Sequence, residues 1–377
     1  GLLALWITPL RALSKEILKA AGEFSEGVGV ALDIDIRTGD TPASRRAGPK
    51  RNMPALLITP PESLHLLLAQ KGYDKLFKNL QSVVVDEWHE LIGTKRGVQV
   101  ELALSRLRAV SPQMRIWGIS ATIGNLDEAM DVLFGMNRSR MNTALIRSKI
   151  RKKILVESIL PETAETLPWA GHLGAKLIQK VIPLINASKT TLIFTNTRSQ
   201  TEMWFRKLHE ATPELTGLVA MHHGSLAREV REWVEDALRE ERLKAVICTS
   251  SLDLGVDFSP VESVIQVGSP KGVARFMQRA GRSGHQPGST SRIWFLPTHA
   301  IELIEAAGLR EAAVNGELEA RVPFVRSWDV LIQYLVTLAV SDGFMPGEIL
   351  KEIRSTYSYN SISDVEWAWV LTFITLG

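Results

Sequence analysis

The sequence has little cysteine and no long apolar run. Its 377 residues include one cysteine, Cys248, which excludes an internal disulfide and any zinc or iron–sulfur site built from several cysteines. No uninterrupted apolar stretch reaches the roughly 18 residues that span a bilayer. No charged leader precedes a short apolar core with a cleavage site. These absences favour a cytoplasmic protein in a reducing compartment, with no membrane as a partner.

The sequence also lacks a large excess of charge of one sign. Lys and Arg number 44 against 41 Asp and Glu, and a net charge of +3 is too small to prove nucleic-acid binding. The basic residues are unevenly spread, because no acidic residue occurs between Asp131 and Glu157. The basic residues there are Arg138, Arg140, Arg147, Lys149, Arg151, Lys152 and Lys153. A solvated linker explains such a run as well as a phosphate-binding surface does, so we interpret it first as a domain boundary.

Short apolar runs alternate with helical patterns, which predicts βαβ units and a parallel sheet. In the first part of the chain the predicted strands are Leu2–Ile7, Ala55–Ile58, Ser82–Val85 and Arg115–Ile119. Each is followed by polar or turn-forming residues. Ligands of open α/β sheets bind beyond the carboxyl ends of the strands, so we expect these four tails to line one edge.

The same alternation resumes after the basic stretch. The predicted strands there are Ile154–Ser158, Thr191–Phe194, Leu218–Met221, Ala245–Cys248, Ser263–Val267 and Arg292–Phe295. Beyond about Pro297 the periodicity is helical, over Ile301–Val314, Trp328–Val340 and Pro346–Ser355. The predicted fold class is therefore α/β, with two tandem parallel-sheet domains over residues 1–148 and 149–300 and a partial helical domain over 301–377.

Paired carboxylates follow a run of three valines. Asp86 and Glu87 should emerge where a central strand ends, with Asp86 placed to hold Mg²⁺, directly or through water, and Glu87 placed to polarise an attacking water. The alternative is that the two acids cap the next helix, which is the commoner meaning of an isolated Asp-Glu pair.

A second cluster, Gln278–His285, spaces arginines with glycines after a helical pattern. The glycines predict tight turns that display Arg279 and Arg282 rather than pack them. An arginine that stabilises a transferred phosphoryl group is worth roughly 10³ to 10⁵ in rate, whereas surface salt bridges are the ordinary alternative. Together, the acids and the arginines predict the two halves of a nucleoside-triphosphate site.

Eight segments resemble the motifs of superfamily 2 helicases in order and spacing. They are Thr8–Leu13, Thr59–Ser63, Asp86–His89, Ser120–Thr122, Phe194–Arg198, His223–Ser225, Thr249–Asp257 and Gln278–Arg282. The stretches DEWH, LDLGVDF and QRAGRSGH most resemble the Lhr group, and the helical tail favours its ligase-associated DEXH-box branch. The resemblance implies two RecA-like domains followed by a partial winged-helix domain.

The resemblance implies an ATP-dependent helicase or translocase with ATP and Mg²⁺ as cofactors. Asp86 would hold Mg²⁺, and Glu87 would activate water. The remaining nucleotide-site residues that it implies are Gly255, Asp257, Gln278, Arg279 and Arg282, with the finger role resting mainly on Arg282. His285 stands where the family commonly has a third arginine.

The same resemblance implies a single nucleic-acid strand as partner, DNA in preference to RNA. The residues implied to hold its backbone are Thr8, Pro9, Leu10, Arg11, Thr59, Pro60, Glu62 and Ser63 on the first domain, and Asn196, Arg198 and Thr249 on the second. Ser120 and Thr122 would couple hydrolysis to strand grip. The resemblance also implies 3′-to-5′ movement, a role in DNA repair, and a DNA ligase or nuclease as a candidate partner. Without the family, Thr-Pro and Thr-Pro-Pro would be interpreted as caps and turns.

One expected element is missing. A Gly-x-x-x-x-Gly-Lys-Ser/Thr loop, which cradles phosphates in this superfamily, occurs nowhere in the 377 residues. We therefore expect an internal piece of a longer protein, in which the parent hydrolyses ATP and the piece alone does so poorly or not at all. Two alternatives stay open, namely a non-catalytic nucleic-acid clamp and an RNA-remodelling ATPase.

Overall fold

A computed structural model describes residues 1–38, 53–136, 138, 142–147, 153–160, 177–253, 261–284 and 290–376. The chain forms two compact units. The first comprises Gly1–Ile146 together with Ala320–Gly377, and the second comprises Arg147–Glu319. Among the described residues, no helix combines the length and the apolar character needed to cross a membrane.

The described part of the first unit contains a five-stranded parallel sheet in the order β2-β3-β1-β4-β5. Its strands are β1 (Ala4–Ile7), β2 (Ile34–Ile36), β3 (Leu56–Thr59), β4 (Ser82–Val85) and β5 (Arg115–Gly118). The register sets Ile7 opposite both Thr59 and Val85, and Val85 opposite Gly118. Four carboxyl ends therefore lie at one level, which confirms the shared edge that the sequence predicts.

The four predicted strands of this sheet are confirmed, with Ser82–Val85 matching residue for residue and the others shifted by one or two residues at their ends. The sequence prediction missed β2, a short edge strand within the polar alternation that follows Leu32. At the other edge, β5 leaves Trp117 52% exposed. By contrast, Val83 and Val85, which point to the same face of the interior strand β4, are fully buried, whereas Val84 on the opposite face is partly exposed.

Helices cover the first sheet and continue into the C-terminal residues. They are Arg11–Gly27, Pro61–Leu68, Tyr73–Phe77, Trp88–Leu91, Lys95–Val110, Leu126–Phe134, Trp328–Val340, Pro346–Arg354 and Asp364–Leu376. The helical periodicity predicted over Trp328–Val340 is confirmed, and the helix buries Leu331, Leu335 and Leu338 fully. These side chains share one hydrophobic cluster with the first sheet, and so residues from Ala320 onward pack as part of the first unit.

The described part of the second unit contains a six-stranded parallel sheet in the order β6-β11-β10-β7-β9-β8. Its strands are β6 (Ile154–Ser158), β7 (Thr191–Phe194), β8 (Val219–His222), β9 (Ala245–Cys248), β10 (Ser263–Val267) and β11 (Ser291–Leu296). Its helices are Ile178–Ala187, Arg198–Ala211, Arg228–Arg239, Val273–Ala280 and Glu302–Asn315, with 3₁₀ turns at Pro213–Leu215 and Ser250–Leu252. Separate hydrophobic clusters cover the two faces of this sheet. Cys248 is buried in β9, as the sequence predicts.

The packing divides the predicted C-terminal domain. The predicted boundary at 148/149 lies close to the change of unit between Ile146 and Arg147. Residues 301–377 do not form a compact unit of their own, because helix Glu302–Asn315 packs in the second unit and Ala320–Gly377 packs in the first. Periodicity identified the helices, but it could not identify the sheet against which each would pack.

A buried carboxyl group fastens the C-terminal residues to the first unit. Glu101, in helix Lys95–Val110, is 5% exposed, and its Oε2 accepts a hydrogen bond of 2.9 Å from the Ser358 backbone N–H. Ser358 Oγ lies 2.5 Å from Glu101 Oε1 and 2.8 Å from the Phe324 carbonyl oxygen. A hydroxyl has one proton, so both contacts are satisfied when a protonated Glu101 donates to Ser358. Burial raises the pKa of Glu101 to about 8, although the hydrogen bond from the Ser358 backbone N–H opposes the shift.

This carboxyl group predicts a pH-dependent stability. Because the pKa of Glu101 is about 8 in the folded chain against its usual 4.5, its contribution is fully present below pH 4.5 and is lost as the pH rises to about 8. The loss approaches about 1.4 kcal/mol per pH unit within that window. Glu101→Gln keeps a donor and an acceptor without titrating. Chemical unfolding at pH 5 and pH 8 should show a smaller pH effect in the variant than in the unaltered chain, and equal pH effects would contradict the assignment.

Candidate functional site

The carboxylate of Asp86 sits at the level edge of the first sheet, directly after β4. The side chain is 7% exposed, and its oxygens accept hydrogen bonds from Trp6 Nε1 at 3.2 Å and from the Glu87 backbone N–H at 2.9 Å. Burial raises the pKa of Asp86, and these two hydrogen bonds oppose that shift. A neighbouring cation would offset the cost of the buried charge.

The donor set fits Mg²⁺ better than a cation that needs a full protein cage. No group of three or more His, Cys, Asp and Glu side chains suited to a metal occurs in the described parts of the chain. Mg²⁺ is usually held by one or two carboxylates, and water and substrate phosphates supply the remaining ligands. Asp86 is the residue that would hold it.

Glu87 has an unusual backbone conformation. Its φ of 48° and ψ of 44° place it in the left-handed region, which typically costs a non-glycine residue about 1 to 3 kcal/mol. It immediately precedes helix Trp88–Leu91, and its side chain makes no capping hydrogen bond there. The helix-cap alternative is therefore not what holds this carboxylate in place. This left-handed residue lies between Asp86, which directly follows β4, and helix Trp88–Leu91.

His89 joins the acidic segment, Asp86–Glu90, to the end of β5. The ring is 2% exposed, and its Nδ1 accepts a hydrogen bond of 3.1 Å from the Ala121 backbone N–H. Burial, together with the positive charge of Arg321, lowers the pKa of His89 to about 4. The ring is thus neutral at pH 7, with its proton on Nε2, 3.6 Å from Glu90 Oε1. Reasoning from the sequence did not assign His89 a role, although its place in the DEWH box was the available signal.

The predicted coupling residues Ser120 and Thr122 flank the amide that contacts His89. Ser120 Oγ lies 3.4 Å from His89 Nδ1 and donates to the Ala121 carbonyl oxygen at 2.7 Å. Both hydroxyl side chains are exposed. The end of β5 therefore meets the acidic segment through two backbone groups, because the Ile119 carbonyl oxygen accepts from the Trp88 N–H at 2.9 Å and the Ala121 N–H donates to His89 at 3.1 Å.

Several residues predicted to hold a strand on the first unit have buried side chains. Thr8 and Thr59 are fully buried, Ser63 is 6% exposed, and Pro9 and Pro60 are also buried. The Thr59 hydroxyl donates to the Arg37 carbonyl oxygen at 2.8 Å. Because these hydroxyls are buried, a contact with phosphate would fall to the backbone groups of these residues, and their role in holding a strand stays a prediction.

Arg96 connects the two segments predicted to hold that strand. Its guanidinium bonds Glu62 through Nε at 2.5 Å and Nη2 at 3.1 Å, while Nη1 donates to the Pro9 carbonyl oxygen at 2.8 Å. Burial raises the pKa of Glu62, but the hydrogen bond from Arg96 holds it below its usual value. Reasoning from the sequence missed Arg96. Leu10 directly precedes helix Arg11–Gly27, and the side chain of Arg11 lies outside the described part of the structure.

In the second unit, Arg279 is packed rather than displayed, so that prediction is wrong. The side chain is 2% exposed and bonds both carboxylate oxygens of Asp253, at 2.7 and 3.0 Å. Its Nη1 donates to Gln266 Oε1, and its guanidinium lies 4.5 Å from the centre of the Phe194 ring. The glycines do not expose Arg279, because it belongs to helix Val273–Ala280 and faces the sheet.

Arg282 is the more accessible of the two arginines. It is partly exposed, and its Nη2 donates to the Asp253 carbonyl oxygen at 2.6 Å. Gln278 is also partly exposed. Asp253 therefore contacts both arginines, and Arg275 Nε lies 3.4 Å from the same carboxylate. Asp253 was part of the quoted LDLGVDF stretch but was not singled out. The predicted Gly255 and Asp257, and also His285, lie outside the described residues.

The residues predicted to hold a strand on the second unit follow the carboxyl ends of β7 and β9. Asn196 Nδ2 donates to the Ser269 carbonyl oxygen at 2.7 Å. Arg198 is exposed at 61% of its side chain, and its Nη1 donates to Ser225 Oγ at 3.1 Å. Thr249 is partly exposed. Arg198 is thus the side chain of this set best placed to meet a phosphate from solvent.

The buried pair predicts a large effect on stability. Arg279→Met should lower the free energy of unfolding by about 3 kcal/mol or more, because it leaves the Asp253 carboxylate buried without its main partner. Arg228→Met removes an exposed i,i+4 pair with Glu232 in the same unit, and it should cost at most about 0.5 kcal/mol. Chemical denaturation of both variants tests the difference. Equal losses would mean that the buried pair does not stabilise the unit.

Three family models match the chain. The DEAD/DEAH box helicase model matches residues 1–129, the helicase conserved C-terminal domain matches 175–286, and the winged helix domain of the large helicase-related protein matches 311–377. The predicted fold class, two parallel-sheet domains followed by a winged-helix domain, is thereby confirmed.

Similar proteins extend the match over almost the whole chain. The ATP-dependent helicase Lhr-Core protein 2 of Thermococcus barophilus is 33% identical over 98% of this chain and 44% of its own length. The ATP-dependent helicase Lhr-Core of Methanocaldococcus jannaschii is 34% identical over 99% of this chain and 45% of its own. This chain thus spans less than half the length of these relatives.

A solved structure supports the same family assignment through the similarity of its fold. The Mycobacterium smegmatis helicase Lhr, bound to ssDNA and AMP-PNP, superposes with a TM-score of 0.86 at 29% identity, covering 99% of this chain and 50% of that one. Matching domain models, sequence relatives and fold agree with the motifs described above. This chain belongs to the Lhr group of superfamily 2 DEXH-box helicases.

Proposed function

We propose that this chain forms part of a nucleic-acid-stimulated ATP hydrolase that works as a helicase or translocase on a single strand. The observation that carries the proposal is the buried Asp86 carboxylate, whose pKa is raised by burial, followed at once by Glu87 in a left-handed turn. Buried charge and backbone strain both cost stability, and both are common where a protein places groups for chemistry.

Each residue of the proposed site has a distinct task. Asp86 would hold Mg²⁺, which when bound neutralises phosphate charge. Glu87 would orient and polarise the attacking water, and Arg282 would stabilise negative charge on the transferred phosphoryl group. The burial of Arg279 against Asp253 supports a different role for it, which is to position Arg282 through the shared Asp253. Gly255, Asp257 and Gln278 stay in the proposal as nucleotide-facing residues from the family resemblance.

The proposed strand-binding surface follows the carboxyl ends of the strands in each unit. Arg198 supplies an exposed positive charge on the second unit. On the first unit, the buried hydroxyls of Thr8 and Thr59 favour contacts from backbone N–H groups at the sheet edge, which bind phosphates without reading sequence. Backbone contacts of this kind suit a motor that must move along any sequence. Asn196 and Thr249 would complete the surface on the second unit.

Finer aspects of the proposal come from relatives. The Mycobacterium smegmatis Lhr structure contains ssDNA and AMP-PNP, which supports DNA as the strand and ATP as the nucleotide. Movement from 3′ to 5′, a role in DNA repair, and a DNA ligase or nuclease partner are further parts of the proposal. The ligase-associated branch remains a prediction from the helical tail.

The test is ATP hydrolysis by the product of the complete reading frame, with and without single-stranded DNA or RNA. Glu87→Gln should reduce strand-stimulated turnover by about 10² to 10⁴ by removing the general base, and Arg282→Ala by about 10³ or more. Matched controls are Glu23→Gln, an exposed acid of the first unit, and Arg228→Ala, an exposed arginine of the second. Both controls should hydrolyse ATP like the unaltered protein.

Two results would overturn parts of this proposal. Tight strand binding without turnover, unchanged in both site variants, would instead indicate a non-catalytic clamp. Stimulation by RNA but not by DNA would replace the DNA motor with an RNA-remodelling ATPase.

Removal of Mg²⁺ with EDTA should abolish turnover while the fold, followed by circular dichroism, is retained.

A further inference from the structure

One short segment contacts important elements in each of the two units. This linking segment, Glu319–Val322, lies where the chain passes from the second unit to the first, between Glu319 and Ala320. No helix or strand is assigned to it. Its position is therefore determined by side-chain and backbone contacts at its two ends.

In the second unit, Glu319 caps the helix that carries Gln278 and Arg279. Its two carboxylate oxygens accept hydrogen bonds of 3.0 and 3.3 Å from the Ala274 backbone N–H, in the first turn of helix Val273–Ala280. A carboxylate at this end satisfies unpaired amides and complements the helix dipole. Gly272 leaves the necessary space, because a Cβ built there would lie 2.4 Å from Glu319 Oε1.

In the first unit, Arg321 is anchored beside the DEWH box. Its backbone N–H donates to Asn125 Oδ1 at 2.8 Å, and its carbonyl oxygen accepts from Asn125 Nδ2 at 3.0 Å. Its guanidinium Nη2 lies 3.8 Å from Glu90 Oε1. The next carbonyl, that of Val322, lies so close to Gly93 that a Cβ built there would be 2.6 Å away. The backbone of the segment is thus held on both sides.

The two anchors are separated by a single residue. Two residues of extended chain span at most about 7 Å, so the Cα atoms of Glu319 and Arg321 cannot separate further than that. Ala320, between the two anchors, is exposed. A movement that would carry one anchor beyond that span therefore reaches the other through two peptide bonds.

We propose that Glu319 and Arg321 are positioning residues that join the helix Val273–Ala280 mechanically to the DEWH box. The inference rests on the proposed ATPase function, and it assigns to this segment the coupling of strand binding to hydrolysis. Glu319 positions the helix that precedes Arg282. Arg321 lies beside Glu90, whose carboxylate is 3.6 Å from His89 Nε2, and the His89 ring in turn accepts a hydrogen bond from the Ala121 amide. Neither residue touches the proposed reacting atoms.

A lengthened link tests this role without removing either anchor. Inserting Gly-Ser between Ala320 and Arg321 leaves every contact of Glu319 and Arg321 possible while it slackens the connection. The matched control places the same insertion between Glu317 and Leu318, which lengthens the chain just before the linking segment but leaves the span from Glu319 to Arg321 unchanged. Both insertions are introduced into the complete gene, and the folding of the two resulting proteins is compared by thermal melting.

The expected result is a loss of coupling rather than a loss of activity. The insertion after Ala320 should bind single-stranded DNA and hydrolyse ATP at the basal rate within twofold of the unaltered protein, while strand stimulation falls at least tenfold. The control insertion should retain full stimulation. A purely structural role would lower basal hydrolysis and melting temperature together.

A double-mutant cycle gives a second, independent readout. Glu319→Gln and Arg321→Gln should each lower strand stimulation, and their combination should cost no more than the larger single loss, since both break one link. Arg326→Gln removes an exposed anchor to Glu366 in the same C-terminal region and serves as the control partner. Losses that multiply in the Glu319–Arg321 pair would contradict the link, even if the insertion were to unfold the chain.

The outcomes separate the inference from the function on which it rests. If the unaltered protein shows strand-stimulated hydrolysis and the insertion after Ala320 retains it, the inference fails and the proposed function stands. If the unaltered protein shows no strand-stimulated hydrolysis, the proposed function fails, and the inference fails with it.

Discussion

The parallel register of each sheet is the constraint on which the proposed site depends. In the first sheet, Ile7 lies opposite Thr59 and Val85, so the residues that leave these strands do so at one level. Strand pairing ends there, and polar groups just beyond must find partners outside the ladder. Asp86 accepts hydrogen bonds from Trp6 and from the Glu87 amide, and the Ala121 amide donates one to His89. The chemistry-bearing side chains thus belong to the hydrogen bonding that closes the edge of the sheet.

Both units place a buried polar group behind a more accessible one. In the first unit, the buried Asp86 and His89 lie next to Glu87, whose side chain is 22% exposed. In the second, the Asp253–Arg279 pair lies beneath Arg282, which bonds the Asp253 carbonyl oxygen. Buried polar groups tolerate few alternative arrangements, because an unpaired group in a low-dielectric interior is costly. Contact with the buried group therefore fixes the position of the accessible residue.

The C-terminal residues extend this arrangement beyond the sheets. Ser358 meets the buried Glu101, and the segment before helix Trp328–Val340 holds Asn125 and approaches Glu90. Segments 196 to 257 residues apart in sequence are therefore joined by hydrogen bonds, and they share one hydrophobic cluster. The DEWH box is supported from two directions, by the end of β5 and by the returning chain. Family membership identifies the motifs, but these supporting contacts are what give their side chains definite positions.

Local pattern determined most of the secondary structure. Strands such as Ser82–Val85 and Thr191–Phe194 match the predictions exactly, because apolar runs with turn signals at their ends report directly on buried strands. The order of the motifs determined the family. Tertiary structure alone decided that Arg279 is buried, since its partners Asp253 and Gln266 lie 26 and 13 residues away along the chain. It also decided the neutral state of His89 and the packing of residues from Ala320 onward with the first unit. The physical reason is that periodicity reports whether a position faces a core, whereas the burial of a charge depends on partners that only the folded chain brings together.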